Sequence, residues 1–177
     1  VRPRPHQKPH PPLARACTGD ASLVEMAKIG RPVLIRGNSI NVTGKKIKLY
    51  RDTMSTAGFS EEDVEKSLDQ LWVWREMHIA ETDDQAFDDF LPAHYDAYAH
   101  LEGIRSEWNP PEMEISIQRA PLGASDYAET PDPDTSENLV GGYKRVAEQV
   151  ALMRDAGVRN LMLTNRGLVS TEKAKKS

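Results

Sequence analysis

Short apolar runs alternate with helical stripes along most of this chain, and that alternation limits its fold more than any other feature. Pro32-Val33-Leu34-Ile35, Leu71–Ala80 and Val158–Thr164 each read as a buried strand, bounded by Gly or polar residues. Between them lie helical patterns: Ile47, Tyr50, Met54 and Ala57 at spacings of 3, 4 and 3, and Tyr143, Val146, Val150 and Met153 further on. Strands separated by helices imply a parallel sheet with right-handed crossovers.

The stretch Arg4–Gly30 supplies a further strand and the first helix. Its prolines remove backbone donors and hold Arg4–Pro12 extended. Leu13–Cys17 then reads as a strand, and Thr18-Gly19-Asp20-Ala21-Ser22 as a turn into a helix carrying Leu23, Met26 and Ala27 and ending at Gly30. A small-residue turn at a helix N-terminus offers free N–H groups and partial positive charge to an anion such as phosphate. An ordinary βα connection without a ligand fits the same residues, and spacing alone favours it.

Further along, Thr43 reads as the cap of the second helix and Gly58 as its end. Ser60 with Asp63, and Thr82 with Gln85, have capping-box spacing. Pro92 should kink or split the helix that holds Phe87, Phe90, Leu91, Tyr95, Tyr98 and Leu101. Ser106–Asn138, with five prolines, reads as an irregular insertion, either a lid or a disordered segment. Asn165-Arg166-Gly167 turns into a last partial helix, Ser170–Lys176. The expected order is β–α–β–α–α–β–α–loop–α–β–α. Four parallel strands with that many helices fit half of a closed (β/α)8 barrel.

Composition excludes several classes. With 177 residues, a net charge of −4 and no basic stripe, the chain is one domain, residues 1–177, with no nucleic-acid partner expected. No apolar run approaches the roughly 20 residues of a membrane span, no secretory leader is legible, and the one cysteine, Cys17, allows no internal disulfide. A cytoplasmic location is the expectation. Starting at Val1 and stopping within a helical pattern, the sequence reads as a fragment of something longer. Cys17 reads as a buried thiol, His10 as a structural hydrogen bonder and His78 as a packed or rim residue. His94 and His100 read as surface residues without metal-ligand partners, so no metal site is expected. Glu61–Glu65 reads as a solvated face, and Arg166, with Asn165 at the rim, either meets an anionic substrate or cofactor or merely solvates, the former being favoured.

Several motifs, in order, resemble bacterial luciferase-like monooxygenases. Arg4-Pro5-His6-Gln7-Lys8-Pro9-His10-Pro11-Pro12 resembles the family's R-P-x-Q-K-P-H-P-P approach to the fifth barrel strand, and Cys17–Ser22 its Ser-Ser-Pro-Glu-Ser turn. Glu25–Gly30 resembles its W-A-A-x-x-G helix end, and Gly30–Ile35 its G-x-P-L-L strand. Trp72-Val73-Trp74-Arg75 with Ala80-Glu81-Thr82 resembles W-V-W-R…A-E-T. Val140–Gln149 and Arg154–Val158 resemble V-G-T-P-E-E-V-A-E-Q-L…R-D-A-G-V.

The resemblance implies an α/β fold, the C-terminal half (strands five to eight) of a (β/α)8 TIM barrel, with an irregular insertion before the last helix–strand unit. It implies a flavin-dependent monooxygenase that oxygenates a small organic substrate with reduced FMN and O2. An F420-dependent oxidoreductase of the same fold and a non-catalytic half-barrel are the alternatives. The flavin phosphate would sit at Thr18, Gly19 and Ser22. Asp20-Ala21 replaces the family's Pro-Glu, and Asp20 opposes a phosphate unless it serves as the N-cap. Ala14-Arg15 replaces Trp-Val and Gly142-Tyr143 replaces Thr-Pro, the latter losing a cap. Catalytic residues would lie upstream, so the isolated chain would be inactive. Exposed strand edges imply a homo-oligomer or a missing N-terminal half as partner.

Overall fold

The computed structural model describes residues 5–8, 10–36, 39–109 and 138–164. Asn165, Arg166, the last partial helix and residues 110–137 of the expected insertion lie outside them. In chain order the elements are β1 (Arg15–Cys17), α1 (Asp20–Lys28), β2 (Val33–Ile35), α2 (Ile40–Thr56), α3 (Glu61–Asp69) and β3 (Trp72–Ala80). Then come α4 (Asp83–Trp108), β4 (Leu139–Gly142), α5 (Tyr143–Asp155) and β5 (Asn160–Thr164).

All strand pairs are parallel. β1 pairs with β2 (Cys17 opposite Ile35), β2 with β3 (Ile35 opposite Val73), and β3 with β5 (Val73 opposite Leu161). This is the expected α/β arrangement of a partial barrel, with one strand more than the four expected. The addition is β4, which pairs with the C-terminal half of β3, Met77–Ala80. Leu139-Val140-Gly141-Gly142 hides this strand from the sequence, because two glycines suppress strand propensity and only the tertiary partner restores it.

Side chains alternate across β3. Val73 joins Cys17, Ile35 and Val33 under α1, α2, α3 and α5, whose Leu23, Met26, Ile47, Tyr50, Met54, Val64, Leu68, Val146 and Met153 complete the main core. On the other face α4 covers the far end of β3, where Phe90 and Ala86 meet Val140. Trp72 (45% exposed) and Met162 (41%) remain uncovered.

Three helices end as the glycines suggest. Arg31 N–H bonds the Met26 carbonyl (3.0 Å) and Gly30 N–H that of Ala27 (3.1 Å), a Schellman closure with Gly30 at φ +61°. The same pair of bonds closes α2 at Gly58 and α5 at Gly157. Both capping boxes give their N-cap bond: Asp63 N–H to Ser60 Oγ and Gln85 N–H to Thr82 Oγ1, each 3.2 Å.

Other expectations fail for local reasons. Ser39, not Thr43, caps α2, its Oγ accepting from Val42 N–H at 3.3 Å, and Thr43 is buried one turn inside. Of the two outcomes expected at Pro92, a kink or a split, the split does not occur: α4 runs unbroken through it. One proline removes one donor and crowds one carbonyl, a cost near 3 kcal/mol, and packing of Ala86 and Phe90 opposes it. Ser106–Trp108 belong to α4 rather than to the insertion. On α5 the buried face is Val146, Gln149 and Met153, leaving Tyr143 and Val150 exposed.

The start of that helix is held by a tertiary contact. Gly142, the N-cap of α5, has no side-chain cap on the first turn, but its own N–H donates to Asp83 Oδ1 at 2.7 Å and so ties the start of α5 to α4. Gly141, at φ +150°, makes room: a Cβ there would stand 2.5 Å from Arg145 Cδ and 3.0 Å from Asp83 Oδ1. The Glu61–Glu65 run is also more than a solvated face. Glu65 bridges Arg51 of α2 and Arg159, and Arg159 also holds Asp69 at 2.6 Å.

Candidate functional site

In a parallel barrel the C-terminal ends of the strands share one rim, and the chemistry sits there. The turn after β1 opens on that rim. Gly19 is the N-cap of α1 in extended geometry (φ −104°, ψ 161°), and its missing side chain leaves the first turn without a side-chain cap. Ser22 Oγ donates to the Gly19 carbonyl at 2.9 Å, and Leu23 N–H donates to the same oxygen at 3.3 Å. Thr18 is exposed beside them. The three residues expected at a phosphate therefore form one braced turn, Thr18 and Gly19 leading in and Ser22 tying it.

Asp20 is not the N-cap. It stands in the first turn of α1, and its Oδ1 is buried without a hydrogen-bond partner. The Thr18 carbonyl accepts from a positive group, Nζ of Lys46, buried on α2, at 2.6 Å. Thr43, one turn before Lys46, accepts from Nη2 of the fully buried Arg75 at 2.8 Å. The sequence signal for Lys46 was its place on the apolar stripe of α2, between Thr43 and Tyr50 at helical spacing.

The turn suits a phosphate in three respects: an uncapped helix start, a hydroxyl on exposed Thr18, and a buried ammonium bonded to the turn. Asp20 works against it by like charge. The residues fit the group.

A second cluster joins β3 to α4. Glu76 Oε2 lies 3.2 Å from His94 Nδ1, and His78 Nε2 lies 3.5 Å from Asp89 Oδ2. Phe90 stacks on His94 with ring centroids 5.1 Å apart. His78 is packed rather than at the rim, and His94 is tied to the strand rather than free on the surface. Strand alternation placed Glu76 and His78 on one face, but nothing in the sequence gave Asp89 and His94 as their partners.

The remaining candidates are local. His10 Nδ1 lies 2.7 Å from the Pro11 carbonyl on an exposed segment, Arg15 pairs with Glu25 at 3.1 Å in solvent, and Cys17 is a buried free thiol. Arg36 lies over the Trp74 ring at 5.8 Å. Among the described residues no group of three or more His, Cys, Asp or Glu side chains is placed to hold a metal ion. No described helix is long and apolar enough to cross a membrane.

Comparison with solved structures shows the fold. The monooxygenase RslO1 from Streptomyces bottropensis superposes with a TM-score of 0.63 at 21% identity, over 96% of this chain and 46% of its own. The oxygenating constituent of 3,6-diketocamphane monooxygenase from Pseudomonas putida, a complex with FMN, gives 0.55 at 16% identity, over 88% and 42%. The coenzyme F420-dependent tetrahydromethanopterin reductase of Methanopyrus kandleri gives 0.56 at 14%, over 92% and 47%. The chain thus spans about half the length of these structures. No curated protein matches it. The profile of luciferase-like monooxygenases matches residues 1–160. With that match over most of its length, on a parallel α/β half-barrel, the chain belongs to the luciferase-like monooxygenase family.

Proposed function

We propose that this chain is the flavin-phosphate-binding half of a luciferase-like oxidoreductase, which oxygenates a small organic substrate with reduced FMN and O2. The observation that carries the reading is the turn after β1, uncapped at Gly19, braced by Ser22 and bonded to a buried ammonium. When bound, reduced flavin supplies the electrons for oxygen chemistry, and the protein supplies phosphate anchoring, ring orientation and exclusion of water. Thr18 and the first-turn N–H groups of α1 would hold the phosphate, and Ser22 would act through the turn it braces. Asn165 and Arg166, which follow β5 in sequence, are the further residues proposed to meet the substrate or cofactor.

A second reading keeps the fold and exchanges the cofactor: one of the matching structures is an F420-dependent reductase, so a deazaflavin at the same turn is the alternative. The exposed sheet face, with Trp72 and Met162, supports a homo-oligomer or a complementary N-terminal half as partner.

Titration of FMN and of F420 into the chain, followed by cofactor fluorescence and repeated with Ser22→Ala, tests the reading. Saturable binding of one of them, weakened by the substitution, is the expected result. No binding, or binding indifferent to Ser22→Ala, leaves a non-catalytic half-barrel.

A further inference from the structure

Lys46 occupies a place where an aliphatic residue would serve the core at no electrostatic cost. It lies on the buried stripe of α2 and is 2% exposed. Burying an ammonium is unfavourable unless a strong acceptor compensates. One acceptor is the main-chain carbonyl of Thr18, 28 residues earlier, at 2.6 Å. That oxygen belongs to the peptide joining Thr18 to the N-cap Gly19, so the bond fixes the plane that aims the Gly19 N–H. α2 is itself pinned one turn earlier, where Arg75 Nη2 meets Thr43 Oγ1 at 2.8 Å. The ammonium thus reaches the turn from a fixed base. On the other side of the balance stands Asp20, with Oδ1 buried and unbonded in the first turn of α1.

We propose that Lys46 is a positioning residue for the phosphate turn. Its ammonium orders the Thr18–Gly19 peptide and supplies the positive charge by which the turn prefers a phosphorylated flavin to an unphosphorylated one. The inference rests on the reading of this turn as a phosphate site.

The test compares FMN with riboflavin, titrated by flavin fluorescence into wild type, Lys46→Met and Lys46→Arg, with thermal unfolding as the fold control. Lys46→Met is expected to weaken FMN on the order of 10- to 100-fold, the range for a hydrogen bond to a charged group, and to leave riboflavin nearly unchanged. Lys46→Arg should restore most of the preference. Where Lys46→Met lowers the folded population, Lys46→Gln gives the same comparison. Parallel loss of both ligands would mark a merely structural lysine and overturn the inference. So would a wild-type preference for FMN that survives in Lys46→Met. A wild-type chain that does not distinguish FMN from riboflavin overturns the phosphate reading, and the inference with it.

Discussion

Glu76 and His94 lie 3.2 Å apart and tie the middle of β3 to α4, with Phe90 stacked on the imidazole. Glu76 is 4% exposed, so its carboxylate depends on partners inside the protein. His94→Ala removes one and is expected to cost about 1–3 kcal/mol, the penalty for a buried acceptor losing its donor. Replacing both by leucine should cost less than the sum of the single changes, which a double-mutant cycle in urea would show. Additive losses would mean that the pair does not interact.

The Asp83–Gly142 bond makes a second prediction. Asp83→Ala should cost about 0.5–1.5 kcal/mol, as loss of one hydrogen bond does. Gly141→Ala should cost about 1–3 kcal/mol, because φ +150° strains any side chain and the new Cβ meets Arg145 and Asp83. Urea midpoints of the two variants check the order.

Glu65 makes stability depend on acid. The Arg159 guanidinium, and then that of Arg51, hold its carboxyl below the usual carboxylate range. The unfolded chain therefore binds this proton more readily. The stabilisation is present above the unfolded value of about 4.3 and is lost as pH falls through the lower folded value. Glu65→Gln should flatten the fall of melting temperature on the acid side of about pH 4.3 and leave its neutral-to-alkaline shape unchanged.

Tyr50 acts at the opposite end. Burial pushes its phenol up, and its hydroxyl donates to the Arg31 carbonyl at 2.9 Å. A raised folded value means stability present below about pH 10 and lost as pH rises through the folded value. Tyr50→Phe should remove that alkaline loss and cost about 0.5–1.5 kcal/mol at neutral pH. Melting curves from pH 7 upward would decide it.

The uncovered sheet face predicts association. Trp72 and Met162 stand exposed on it, and among the described residues β1 and β5 each pair with one neighbour. Light scattering of the isolated chain should give a mass above a monomer or show poor solubility. A monodisperse, soluble monomer would count against an open half-barrel.

What the residues determined alone is local and periodic. Apolar runs with helical stripes gave the parallel α/β order, glycines at 30, 58 and 157 gave the helix ends, and Ser60 and Thr82 gave two caps, because each depends on neighbours within a few positions. The turn at Thr18–Ser22 was legible for the same reason. Tertiary structure decided everything that needs a distant partner. β4 exists because β3 offers it a ladder, Thr43 turns inward to Arg75, and Asp83 accepts from Gly142 N–H, 59 residues away. Lys46 meets Thr18, and His94 meets Glu76, only after two elements pack. A charged side chain on an apolar stripe shows in sequence that a partner must exist, and only packing shows which one.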